Sequence, residues 1–308
     1  MERRDFIKKS VGTGLLTGSA LIFSNMGEVM AETAPRSKRL AYDLVAVKGG
    51  EPEIMFDMAI AALGGMKNFV KKGQTVVVKP NIGWDAPPER GSNTNPKLVG
   101  RIVKRCYEAG AKEVYVFDNS CDEWTKSYRN SGIEEAVKAA GGKMVTGKSE
   151  SMYKEVSIPR GKNLKSARVH ELIVNCDVFI NVPVLKHHGG STVTAGMKNM
   201  MGVVWDRRFW HKNDLHQCIA DFATYRRPNL TVLDAYRVIK KNGPKGVSVG
   251  DVSLMKSLLV SPDIVAIDAA GAKMFGVEPH EVKYIPLAHE AGVGNSNTDS
   301  LRIKRIKI

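Results

Sequence analysis

Apolar residues along this 308-residue chain gather in short runs that stop abruptly at polar ones. Residues 75–78 form such a run and end in Lys79-Pro80-Asn81, and residues 113–117 give way to Asp118-Asn119-Ser120. Residues 178–185 end in Lys186-His187-His188, and residues 230–233 end in Asp234. Each run is β-rich and apolar at both alternating sets of positions, the pattern of strands covered by helices on both sides. Residues 42–48 and 258–260 read as two more strands. Helical spacing recurs over 54–70, 131–140, 205–225 and 263–275, and Pro96 opens a helix to Gly110 at the first helical position, where proline is favoured. The alternation predicts an α/β fold, a mostly parallel open sheet with helices on both faces and inserted loops. Residues 80–96 form a long loop carrying Trp84, of a length that is usually functional. Residues 151–170 read as an irregular or antiparallel excursion. The tail 301–308 alternates apolar and basic residues and predicts a half-buried edge strand.

In open α/β sheets ligands lie outside the carboxyl ends of the strands. The polar strand ends therefore predict a site that gathers Lys79, Asn81, Asp118, Lys186, His187 and Asp234 along one edge. The stretch 186–199 is the densest, with two histidines, a glycine turn, hydroxyls at Ser191, Thr192 and Thr194, and then Lys198-Asn199. In this reading Lys79, Lys186 and Lys198 neutralise an anion, Asn81, Thr194 and Asn199 orient it, and His187 and Lys198 carry the chemistry. His187 and His188 point to opposite sides of an extended chain, so only one of them faces the ligand. His188 with Asp118 and Asp234 offers nitrogen and oxygen donors for a divalent metal; a hydrogen-bonded structural imidazole is the alternative. His211 and His216 read as rim residues, Asp268 as a site contact or a structural cap, and Trp84 and Trp205 as pocket walls or packing aromatics. The glycine spacing around Lys198 is not that of a P-loop.

Net charge is +14, which favours anionic partners, yet no zinc-finger spacing or nucleic-acid recognition motif accompanies it, so no specific nucleic acid is expected. The start of the chain reads as an address. Arg3-Arg4 is followed by Phe6-Ile7 and Lys8, a glycine-studded apolar stretch and a small-residue cleavage site at 29–31, the twin-arginine export pattern. Glycines and serines dilute that stretch below the roughly 20 solidly apolar residues of a spanning helix. The expectation is a signal at 1–31 read by the twin-arginine machinery, then a single exported, periplasmic α/β domain over 32–308, membrane-anchored only if the signal stays uncleaved. Cysteines at 106, 121, 176 and 218 include no CxxC pair, which argues against an iron–sulfur cluster or zinc ribbon within the chain. Buried free thiols are expected instead.

Lys79-Pro80-Asn81, Thr94-Asn95-Pro96, Asp118-Asn119-Ser120, Pro183 to His187, Thr194-x-x-x-Lys198-Asn199-x-x-Gly202, Asp234, Gly243-Pro244 and Ser261-Pro262-Asp263-x-x-Ala266-x-Asp268 together resemble a bacterial family of proteins of unknown function, domain family 362. The resemblance covers about residues 42–290, and its motifs are jointly specific. Members often carry a ferredoxin-like cysteine-rich segment, and this chain lacks one. His188 followed ten residues later by Lys198 is also similar to the histidine–lysine segment of the lactate racemase family, where the lysine tethers a nickel pincer cofactor. Three functions are then open. The first is an enzyme acting on a small anion, with a metal or redox cofactor. The second is a non-catalytic binding or cofactor-handling protein, and the third a subunit docking on a redox partner through its basic surface.

Overall fold

The computed structural model describes residues 40–308, so the export signal expected at 1–31 lies outside the described residues. Strand β1 (Leu44–Lys48) leads into helix α1 (Pro52–Ala62). The helical pattern read over 54–70 stops at Ala62 because Gly64 and Gly65 take φ of +87° and +89°, a left-handed backbone that glycine enters without steric cost. Strand β2 (Thr75–Pro80), the long loop and helix α2 (Pro96–Glu108) follow. Asn95 caps α2, its side chain accepting from Lys97 N at 3.0 Å, and Pro96 begins it as anticipated. Then come β3 (Glu113–Val116), α3 (Trp124–Asn130), α4 (Ile133–Ala139) and β4 (Lys143–Met144). Strands β5 (Tyr153–Ser157) and β6 (Ser166–His170) pair with each other, antiparallel, as the expected excursion.

After α5 (Glu171–Asn175), the strand read over 178–185 is two: β7 (Val178–Val182) and β8 (Val184–His188). Pro183 divides them, having no N–H for a ladder bond. Its carbonyl still accepts from Asp234 N at 2.9 Å. Strand β9 (Thr192–Thr194), the single-turn helix α6 (Gly196–Asn199), α7 (Arg207–Lys212) and α8 (Leu215–Tyr225) complete this region. The chain closes with β10 (Leu230–Ile239), β11 (Val252–Ser261), α9 (Ile264–Phe275), α10 (Tyr284–Glu290) and β12 (Ile303–Lys307).

Ten strands make one sheet in the order β12-β1-β11-β10-β7-β2-β3-β4, with β8 on β10 and β9 on β8. Pairing is parallel except at β11 and β9. The tail is the edge strand its alternation predicts, parallel to β1. Alternate residues of β2 serve different cores. Val76 and Val78 pack with α1, α2 and α4, whereas Val77 packs with side chains of α8, α9 and α10 on the other face. Phe179 divides in the same way from its neighbours Val178 and Ile180. Burial on both faces is why these strands read as unbroken apolar runs. Among the described residues no helix is long and apolar enough to cross a membrane.

Candidate functional site

Lys79 is the last charged residue of β2, and it is completely buried. Its ammonium lies 2.9 Å from Asp118 Oδ1, just beyond β3, and donates to Asn199 Oδ1 at 2.9 Å. Burial pushes the lysine's pKa down, and Asp118 partly offsets that. The other carboxylate oxygen of Asp118 accepts from Ile82 N at 2.7 Å, while the hydroxyl of Tyr128 accepts from Asp118 N and donates to Asp118 O. Asn199 bridges the elements. Its Oδ1 also accepts from Asn81 Nδ2 at 3.1 Å, and its Nδ2 donates to Asn181 Oδ1 at 2.8 Å. A buried ion pair holds only when further hydrogen bonds satisfy its remaining atoms, and this network supplies them.

Lys186 reaches the same place from β8. Its ammonium donates to Asn81 Oδ1 at 2.9 Å and to the carbonyl of Ser92 in the long loop. Burial pushes its pKa down to about 7. The two histidines that follow diverge, as an extended chain requires. His188 lines the cleft, and its Nδ1 accepts from Gly190 N at 3.0 Å. That bond leaves the ring proton on Nε2. Burial, with Lys198 and His211 adding repulsion, pushes its pKa down to about 3, so the imidazole is neutral. His187 turns away toward the 243 loop, where its Nδ1 accepts from Gly243 N at 3.2 Å. Of the two imidazoles it is therefore His188, not His187, that the structure places in the cleft.

Lys198 and Asn199 stand on α6, whose first two N–H groups are held by Asp268. Its carboxylate accepts from Gly196 N at 2.5 Å and Met197 N at 2.9 Å. Asp268 is thus a structural cap, with burial raising its pKa to about 7. Lys198 is 9% exposed, and its ammonium makes no hydrogen bond or ion pair among the described residues. Burial, then the nearby positive charges of Arg207 and Lys79, push its pKa down to about 8. Thr194 at the end of β9 is buried in the same wall, and its hydroxyl has no hydrogen-bond partner.

These groups line a cleft of about 300 Å³. Lys79, Asn81, Lys186, Thr194, Lys198 and Asn199 all meet in it, with Asp118 and His188. Trp84 forms a wall; Trp205 instead packs on Tyr153, ring centroids 5.2 Å apart. Asp234 stays outside. Its strand runs on to Ile239, so the residue is mid-strand rather than terminal, and its carboxylate is taken by the N–H groups of Asn95 at 2.7 Å and Tyr236 at 2.9 Å. The set His188, Asp118 and Asp234 is therefore not assembled, and among the described residues no group of three or more His, Cys, Asp or Glu is placed to hold a metal.

Among the cleft residues that escape the sequence reading are Cys121, Arg207, Arg208 and, as a cleft residue rather than a rim residue, His211. Cys121 is exposed, unlike the buried Cys106, Cys176 and Cys218. Its position directly after Asp118-Asn119-Ser120 is a signal that strand-end reasoning offers. The arginines sit on a helix remote in sequence, and only folding brings them over the strand ends. Arg207 is anchored there, donating to the carbonyls of Asn119 at 2.7 Å and Ser120 at 3.1 Å.

Residues 76–273 match the model of the family described as Domain of unknown function (DUF362). The chain belongs to that family. The chain is also similar to a thylakoid-associated protein of Synechocystis sp. (strain ATCC 27184 / PCC 6803 / Kazusa), 26% identical over 239 residues, covering 75% of this chain and 72% of that protein. Among solved structures, the lactate racemase apoprotein from Thermoanaerobacterium thermosaccharolyticum superposes with a TM-score of 0.50 at 12% identity. The match covers 75% of this chain but only 56% of that one, so the two share a fold over part of the racemase.

Proposed function

We propose that this DUF362 protein binds a small anion, a carboxylate or phosphate, in the cleft at the strand ends and acts on it as an enzyme. We also propose that it does so after twin-arginine export, as one α/β domain following the signal. One observation carries the binding reading. Lys79, Lys186, Lys198, Arg207 and Arg208 line the cleft against the single carboxylate of Asp118, which Lys79 already engages. A buried ammonium without a partner costs free energy, and an anion beside Lys198 offsets that cost. The Nε2–H of His188 and the hydroxyl of Thr194 add neutral donors that orient the ligand.

Calorimetric titration with acetate, phosphate and pyruvate tests this. Lys198→Met should weaken binding about 10- to 100-fold, the loss of one charge-assisted hydrogen bond. Affinity in the wild type should fall as pH rises through about 8, where Lys198 gives up its charge. Equal affinity in both proteins, flat from pH 7 to 9, would sink the reading.

A second reading is a non-catalytic, cofactor-handling protein. The parallel rings of His188 and His211, centroids 6.4 Å apart beside Lys198, favour it, with the fold shared with the lactate racemase apoprotein. In that case Lys198 and the two imidazoles would hold the group. Turnover of a bound anion, measured beside elemental analysis and a visible spectrum of protein from its native host, separates the two: a stoichiometric metal or chromophore without turnover favours the second.

A further inference from the structure

We propose that Lys198 is a nucleophilic amine that forms an imine with the carbonyl carbon of a small 2-oxo acid bound in the cleft. This rests on the anion-binding reading and adds the chemical class of the ligand. Three lysines enter the cleft, and two are committed. Lys79 is ion-paired with Asp118 and hydrogen-bonded to Asn199, while Lys186 donates to Asn81 and to the carbonyl of Ser92. Lys198 alone of the three carries no partner, although it is 9% exposed and lines the cavity. A structural lysine at that depth would be paired.

The surroundings are those that make a lysine nucleophilic, a desolvated amine next to other cations. Facing it are Lys79 from β2, Cys121 from the loop after β3, Lys186 and His188 from β8, and Arg207 and His211 from α7. Burial first, then the charges of Arg207 and Lys79, lower the pKa of the amine to about 8 against the opposing effect of Cys121, so a fraction of it is unprotonated near neutral pH with its lone pair available. The rest of the cleft fits the two ends of a 2-oxo acid. The guanidinium of Arg208, exposed and without a hydrogen bond or ion pair among the described residues, lines the cleft and, with the charge of Arg207, is available to the carboxylate. The unpartnered hydroxyl of Thr194 and the Nε2–H of His188, both on cleft-lining residues, are the donors available to the carbonyl oxygen as it takes up negative charge. A cavity of about 300 Å³ lies at the small end for ligand sites and suits an acid of few carbons.

The step balances without an added oxidant or reductant. The Lys198 nitrogen bonds to the carbonyl carbon, and a proton moves from nitrogen to oxygen to give a carbinolamine. That oxygen then leaves as water, and the C=N bond forms. The resulting iminium draws electrons from the neighbouring carbon and so eases proton loss or bond cleavage there.

The experiment is reductive trapping on the full chain. Protein is incubated with glyoxylate, pyruvate or 2-oxoglutarate and sodium cyanoborohydride, then analysed by intact mass and peptide mapping, with calorimetric titration in parallel. The expected result is one adduct per chain, equal in mass to the acid less one oxygen atom, mapped to Lys198. Its rate should rise with pH through about 8, opposite to the trend for simple anion binding. Lys198→Arg, which keeps the charge, should still bind the acid and lose the adduct. An acid that binds while Lys198 stays unlabelled, or labelling spread over many lysines, overturns the imine and leaves the anion reading standing. Failure to bind 2-oxo acids, acetate and phosphate alike overturns both. Mapping the wild-type chain keeps the test decisive even if Lys198→Arg misfolds.

Discussion

Gly202 lies against the ion pair at the bottom of the cleft. A Cβ on it would come 1.9 Å from Asp118 Oδ1 and 2.5 Å from Lys79 Nζ. Both partners are buried and fixed by hydrogen bonds, so neither has room to retreat. Gly202→Ala should therefore destabilise the protein by about 1–3 kcal/mol, the range for overpacking a filled site, and weaken anion binding by displacing Lys79. Chemical denaturation checks this, and a variant of unchanged stability would show that the 200–203 turn yields freely. The same contrast between committed and uncommitted groups separates the lysines. Their shared strand-end context is legible in the sequence, but which one is left unpaired depends on Asp118, Asn199, Asn81 and Ser92, which the fold brings in from distant positions.

At the scale of elements, Asp268 on α9 fixes α6 and with it Lys198 and Asn199. The side chain of asparagine offers one oxygen, so Asp268→Asn leaves Gly196 N or Met197 N without an acceptor, at about 1–3 kcal/mol. The pH dependence has a definite sign. Burial raises the folded pKa of Asp268 from 3.8 to about 7. Its contribution to stability is then complete below the unfolded value and is lost as pH rises through about 7. The cost of Asp268→Asn should accordingly be larger at pH 4 than at pH 8, as thermal melts of both proteins across that range would measure. A cost independent of pH would mean that Asp268 is ionised throughout. The strand split at Pro183 belongs to this scale too. It directs Lys186 and His188 off the end of β7 and onto β8, so that Asp234, expected beside them, stays within β10.

For the whole molecule, the proposed export lies furthest from the cleft. A folded protein carried by the twin-arginine route needs both arginines of its address, so Arg3→Lys with Arg4→Lys should leave the chain in the cytoplasm. Cell fractionation with immunoblotting reads this out, and an exported pool equal to the wild type would refute the signal. The periplasm would present the basic protein to small anions directly, with its cleft already formed.

The sequence by itself determined the sheet and the gathering of polar strand ends along one edge. Runs apolar on both faces require helices on both sides, and polar residues at their ends face the carboxyl edge, where open α/β sheets hold ligands. It also placed Lys79, Asn81, Lys186, Thr194, Lys198 and Asn199 together as cleft residues, because each follows closely on an apolar run in the sequence. Only the tertiary structure decided what depends on distant partners. His188 rather than His187 enters the cleft because the Gly243 loop occupies the other side. Arg207, Arg208 and His211 close the cleft from a helix whose pattern names no ligand. Cys121 is open while the other cysteines are buried, since burial follows from how layers stack and not from residue type. Local periodicity writes the elements; which polar group remains unsatisfied is settled only when every other one has found its partner.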